Sequence, residues 1–253
     1  MRISILGALS LIDVNGQKFN IGSTRLRTLI ALLALSPRTP VPIDEFVDEL
    51  WAERPVGNAR NALQANIARL RKLVETVSRR PGDELIRTSS GGYILDIPPE
   101  HVDAHEFVAL ADDGAQILGK NPEEAADLLQ RALRLWRGPA LVDVPEGVRC
   151  RSGAGYLEER RLAAREDLVA ARLSTGRERD VVSELSQLVA KHPERERLSE
   201  LLMLALYRVG RQTEALNAFH NLRNWLDDEL GLQPNRAVCD LYQQILSQDA
   251  VLG

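Results

Sequence analysis

The first third of the chain alternates apolar and polar residues over short runs, RISILG, LSLIDV and KFNIG, separated by turn residues. Asn15-Gly16 is the strongest hairpin signal in the sequence, so three short antiparallel strands are expected. After Gly22 the period lengthens. Leu26, Leu29, Ile30 and Leu33 recur at helical spacing, with Ser23 or Thr24 as N-cap and Pro37 past the end, which predicts a helix over 24–35. A second helix over 43–51 presents Phe46, Val47, Leu50 and Trp51, and Glu53, Arg54, Pro55, Val56 and Gly57 break it.

The next helix, 58–77, carries the clearest two-sided pattern. Leu63, Ile67, Leu70, Val74 and Val77 fall within about 40° of one direction and form a buried stripe. Asn61, Ala65, Ala68 and Lys72 occupy the opposite side, with Gln64 and Arg71 on one shoulder and Arg69 on the other; Arg60 opens the helix. Small residues at the crest allow close approach. Asn and Gln pair bidentately with adenine, Arg with guanine, and Lys neutralises phosphate, which is the mixture a major-groove reader needs. The helix by itself equally fits a solvent-exposed face of a small helical domain.

The residues after this helix shift that balance. Leu85-Ile86-Arg87-Thr88, then Ser89-Ser90-Gly91-Gly92, then Tyr93-Ile94-Leu95-Asp96-Ile97 reads as a second hairpin. Three helices with a hairpin behind them make a winged helix. Its small hydroxyl-rich tip can meet a sugar-phosphate backbone, and Arg87 and Tyr93 stand at its base; packing of Tyr93 on the helices is the alternative.

From Pro98-Pro99 the pattern is helical almost throughout. Asp103 and Glu106 are placed as N-cap and N3 of a capping box, and Asn121-Pro122-Glu123-Glu124 opens a further helix. Gly176-Arg177 with Val181, Leu185 and Leu188 recurs 34 residues later as Gly210-Arg211 with Ala215, Phe219 and Leu222. That is the tetratricopeptide period. A diverged copy keeps Ala125, Leu129 and Ala132, Gly231 stops a helix, and Pro234 opens the last one. The stretch 142–156, poor in apolar periodicity and rich in glycine, reads as a loop. The predicted fold is mainly α with small β-sheets: a winged helix-turn-helix domain over 1–97, then an all-α tetratricopeptide-like domain over 98–253.

Charge sharpens this division. The formal net charge is −4, but residues 1–97 hold 13 Lys and Arg against 10 Asp and Glu, while the remainder is acidic. Eight of those cations lie within 54–87, against three acids. Such a patch suits a polyanion, although a solvated face gives the same count. Cys150 and Cys239 form no C-x-x-C pair, which argues against a zinc site or a disulfide framework. His101 and His105 stand four apart, but His101 precedes the helix start and no third ligand has a recognisable spacing, so no metal is expected. Phosphate-loop, dinucleotide, zinc-protease and nucleophile-elbow motifs are all missing from the sequence, and neither an enzyme nor a cofactor is expected. The start lacks a signal peptide and no stretch approaches 18 uncharged apolar residues, so a cytoplasmic chain without a membrane partner is expected.

VPIDEFVDELW, NARNALQANIARLRKLV and TSSGGYIL together resemble the OmpR-type winged helix that opens the Streptomyces antibiotic regulatory proteins, and ISILGALSLIDVNG is similar to their initial strand pair. ALYRVGRQTEAL and DDELGLQPN are similar to the bacterial transcriptional activator domain that comes next there, so the resemblance covers the chain and looks like the short stand-alone form. It implies an activator that binds direct repeats of promoter DNA beside the −35 element and recruits RNA polymerase holoenzyme. The recognition helix would supply Arg60, Asn61, Gln64, Ala65, Ala68, Arg69, Arg71 and Lys72. The wing would supply Arg87, Thr88, Ser89, Ser90, Gly91 and Tyr93, and the start of the first helix, Thr24 and Arg25, would meet the backbone. By the same analogy 53–57 faces sigma region 4 or the alpha C-terminal domain, and the repeats favour a homodimer on DNA over peptide capture. The rival reading is a helical-repeat adaptor whose winged helix makes protein contacts alone.

Overall fold

The structure is a computed structural model and describes residues 1–51, 57–144 and 147–249. Three strands, β1 (Arg2–Ser4), β2 (Ser10–Ile12) and β3 (Lys18–Asn20), form an antiparallel sheet in chain order, with Ile3 opposite Leu11 and Leu11 opposite Phe19. Asp13 closes the β2–β3 loop: its carboxylate accepts the Asn15 and Gln17 N–H groups, and Gly16 turns at φ +82°.

Helix α1 spans Thr24–Leu35, and the Ser23 hydroxyl accepts the Leu26 N–H as its cap. Its residues Thr28 to Ala34 are all buried, so the helix is the axis of the domain rather than a one-sided cover. Against it pack α2 (Ile43–Trp51) and α3 (Ala59–Ser78). A second sheet has the order β4-β6-β5, built from β4 (Val41–Pro42), β5 (Ile86–Ser89) and β6 (Gly92–Leu95). Two features here escaped the sequence pattern. Leu85 belongs to a short turn of helix, α4 (Gly82–Leu85), and not to the wing strand. The two-residue strand β4 pairs Val41 with Tyr93 and so ties the wing to the start of α2.

The helical part begins with α5 (Asp103–Ile117) and α6 (Pro122–Arg134). Asn121 caps α6 as expected, accepting the Glu124 N–H at 3.3 Å while its amide reaches back to the Glu124 carboxylate at 2.9 Å. Asp103 does otherwise. Its carboxylate accepts the N–H groups of Ile5 at 2.7 Å and Leu6 at 3.3 Å and pairs with Arg137 at 3.0 Å, while the Glu106 N–H goes to the Val102 carbonyl. The capping-box reading of Asp103 is therefore wrong: the side chain satisfies orphan donors where the chain leaves β1. Burial pushes its carboxyl above the usual carboxylate range, against the lowering pull of those donors.

The stretch 142–156 is also not all loop. Helix α7 (Val148–Ser174) starts within it. Its first N–H groups, of Arg149 and Cys150, are accepted by the Glu49 carboxylate at 3.0 and 2.8 Å, so a side chain on α2 caps α7 from a distance. Arg149 pairs with Glu45 and donates to Ser36. Beside them the Cys150 thiol is pushed far above its ordinary pKa, by burial first and by Glu49 second, and is an unreactive core group.

These contacts explain where the chain divides. One compact unit comprises Met1–Asp112 with Arg131–Leu162, the other Asp113–Gln130 with Ala163–Gly253. The cut between these compact units falls inside helices, because the segment after β1 pairs with later residues: Arg137 N–H to Leu6 carbonyl, Leu141 N–H to Ile5 carbonyl, Leu9 N–H to Asp143.

The second unit contains α8 (Glu178–Lys191), α9 (Glu196–Arg208), α10 (Gln212–Leu230) and α11 (Arg236–Ser247). The 34-residue repeat holds down to single hydrogen bonds. Arg177 N–H meets the Arg172 carbonyl and Arg211 N–H meets the Leu206 carbonyl, while Gly176 and Gly210 turn at φ +73° and +80°. Arg177 pairs with Asp180 as Arg211 pairs with Glu214. Val181, Leu185 and Leu188 are buried, as are their counterparts Ala215, Phe219 and Leu222. Gly231 ends α10 at φ +64°. Pro234 lies one residue before the cap of α11, which is Asn235.

Candidate nucleic-acid interface

Helix α3 is held by its stripe: Leu63, Ile67, Leu70, Val74 and Val77 are each 2% exposed or less. Burying five such side chains contributes on the order of 1.5–3 kcal/mol apiece, which fixes the helix rotation and hence the opposite face. Asn58 caps the helix by accepting the Asn61 N–H at 3.1 Å. Arg60, Asn61, Gln64, Ala65, Ala68, Arg69 and Lys72 are all exposed. Arg60 also lies 4.0 Å from Asp44 at the start of α2, a solvent-screened pair. Asn66, on the flank, is buried and donates its amide to the Ala62 carbonyl at 2.8 Å.

Arg71 stands apart from the other cations of the helix. Its Nε donates to the Ile86 carbonyl and its Nη2 to the Thr88 hydroxyl, both at 2.9 Å, and its guanidinium lies 6.0 Å from the Tyr93 ring centre. It ties the helix to the wing. Tyr93 is 6% exposed, its ring edge against Phe46, so it packs on the helices. Arg87 remains exposed and pairs with Asp96 at 2.9 Å. The wing tip is a two-residue turn, Ser90-Gly91, with Gly91 at φ +98° and Ser89 facing Gly92 across the ladder. Thr88, Ser90 and Gly91 are exposed, and the Gly91 carbonyl accepts the Ile43 N–H.

Thr24 and Arg25 lie exposed in the first turn of α1, where the positive end of the helix dipole favours an anion. Glu53, Arg54, Pro55 and Val56 lie outside the described residues, and Gly57, the last of that segment, is exposed. Sequence reasoning missed the Arg71 tether, whose acceptors are 15 and 17 residues away, and missed two glycines that make the site possible. A side chain at Gly82 would lie 2.3 Å from the Arg71 carbonyl, and one at Gly92 2.0 Å from the Val41 carbonyl. A paired Gly91-Gly92 was the only signal. Of the two histidines weighed for a metal, His101 ends a 3-10 turn ahead of α5 and His105 bonds the Ala34 carbonyl. No group of three metal-ligating side chains occurs among the described residues, nor any helix long and apolar enough to cross a membrane.

A groove-sized helix with a polar crest, tethered to a hairpin and succeeded by helical repeats, defines a winged-helix DNA-binding regulator. Comparison with known proteins agrees. Residues 17–95 match the family model described as "Transcriptional regulatory protein, C terminal", and 102–246 match "Bacterial transcriptional activator domain". The chain is 46% identical to the transcriptional regulator RedD of Streptomyces coelicolor over all its length and 72% of that protein. It is 36% identical to the regulatory protein DnrI of Streptomyces peucetius, over 98% of this chain and 93% of the other. A solved structure of Mycobacterium tuberculosis EmbR in complex with a low affinity phosphopeptide superposes with TM-score 0.92 at 31% identity, covering 98% of this chain and 65% of that one. The chain belongs to the Streptomyces antibiotic regulatory protein family, whose members are DNA-binding transcriptional activators.

Proposed function

We propose that the chain activates a secondary-metabolite (antibiotic) biosynthetic gene cluster by binding direct repeats of promoter DNA near the −35 element and recruiting RNA polymerase holoenzyme. The observation that carries this is the exposed face of α3, where Asn61, Ala65, Ala68 and Lys72 lie opposite the buried stripe and Gln64 and Arg69 stand on its two shoulders. On this reading the amides and the small crest meet base edges, and Arg60, Arg69 and Lys72 meet phosphates. Arg71 sets the angle between helix and wing through Thr88, while Arg87, Ser89, Ser90 and Gly91 track the backbone across the next groove, over the buried Tyr93. Thr24 and Arg25 receive a phosphate at the start of α1. Direct repeats call for a head-to-tail homodimer on DNA, which roughly doubles the phosphates neutralised. The segment 53–57 is assigned the contact with sigma region 4 or the alpha C-terminal domain, and the chain works in the cytoplasm without a membrane partner, a metal or a cofactor.

Gel shifts on a promoter fragment carrying the repeats, at about 0.05 and 0.15 M salt, test the reading. Retention at the higher salt that is lost when one repeat is scrambled is expected. Equal retention of scrambled DNA would contradict sequence-specific binding, and loss of all retention at the higher salt would leave the winged helix to protein contacts, as in an adaptor.

A further inference from the structure

Nothing in the sequence marks a pocket for a small molecule, yet the helical repeats form a half-open one. A cavity of about 360 Å³ opens between α8, α9 and α10, within the range of small-molecule sites, roughly 300–1,000 Å³. Val189, Pro193, Leu202 and Leu222 give it apolar walls, the Trp225 indole flanks it, and no charged residue lines it. Ser199 also lines it, at 1% exposure, and its hydroxyl oxygen is buried without a hydrogen-bond partner among the described residues.

That hydroxyl differs from those of three other helical serines of this unit. Ser174, Ser186 and Ser247 each donate to the carbonyl four residues back, at 3.0, 2.9 and 3.0 Å. For Ser199 that carbonyl belongs to Arg195, which accepts the Leu198 N–H. A buried hydroxyl left unpaired costs free energy that a partner of complementary chemistry removes. A charged ligand would be desolvated here with nothing opposite it, whereas a neutral one gains from the walls.

We propose that this cavity binds a neutral, largely apolar small molecule with a flat ring system and one polar group, the ring beside Trp225 and the polar group on the Ser199 hydroxyl. Every lining residue belongs to the second compact unit, so the proposal stands apart from the DNA-binding reading.

The test titrates the full chain with N-phenyl-1-naphthylamine, a neutral ring probe with a single N–H donor, whose fluorescence rises on leaving water and is excited by energy transfer from tryptophan. Saturable binding of one probe per chain is expected. Ala190→Trp, at an exposed rim position, should weaken it at least tenfold, and Ala218→Trp repeats the block from α10; circular dichroism and melting confirm that each variant is folded. Ser199→Ala should weaken this probe about three- to tenfold and leave naphthalene, which has no polar group, unaffected. A signal that does not saturate, or one unmoved by both tryptophan blocks, would overturn the site. Unchanged affinity of Ser199→Ala for the amine probe would overturn the role of the hydroxyl.

Discussion

Two segments of the chain, 89–92 and 147–155, are both rich in glycine and have opposite structures. The first is a hairpin tip that reaches into solvent, where Gly91 has nothing within 4 Å of a built Cβ and is needed for its φ of +98°. The second is the start of a helix pressed against its neighbours. A Cβ at Gly147 would lie 2.1 Å from the Glu49 carboxyl carbon, and one at Gly153 2.7 Å from a Leu35 methyl. One glycine supplies backbone freedom and the others supply an absent side chain. Composition alone cannot separate these uses, since only the partner decides, and Gly92, beside Gly91, already belongs to the second kind.

Substitutions separate the two uses. The largest effect is expected at Gly92: Gly92→Val drives a side chain into the Val41 carbonyl, separates β4 from β6 and should cost about 3 kcal/mol or more in denaturant unfolding. Gly147→Ala should cost about 1–2 kcal/mol by displacing the Glu49 cap of α7. In a Glu49→Ala background the same change should be nearly neutral, a coupling that a purely conformational role would not produce. Gly91→Ala should cost about 1 kcal/mol through its left-handed backbone, and Gly91→Asn should recover part of it, because Asn tolerates that region. Asn at position 147 should recover nothing. Smallest in stability is Lys72→Ala, within about 0.5 kcal/mol for an exposed position. Its effect belongs in DNA binding, where the slope of log K against log salt should flatten by about 0.9.

How much of this could be read from the chain obeys the same division. Local signals were legible. Ser23 caps α1 where a hydroxyl precedes an apolar period, the five-residue stripe orients α3, and the 34-residue spacing of Gly176 and Gly210 places two helix starts. Contacts across the chain were not. Asp103 has the spacing of a helix cap, but its partners are the N–H groups of Ile5 and Leu6, 98 and 97 residues earlier, and no local pattern announces them. Arg71 resembles its neighbours Arg69 and Lys72 in sequence and differs only because Ile86 and Thr88 fold back within its reach. The face that would read DNA was visible as a residue mixture. Its separation into exposed cations and a structural one was not.

If Asn61 and Gln64 read bases while the cations of α3 hold phosphates, losses at the two amides must depend on DNA sequence. The most direct measurement compares Asn61→Ala and Gln64→Ala with the unchanged chain, titrating each onto the promoter repeats and onto scrambled DNA at the same salt. Each variant should lose about 1–3 kcal/mol on the repeats, keep its affinity for scrambled DNA and show a relaxed preference at one base pair. Equal losses on both DNAs would contradict base reading by this face.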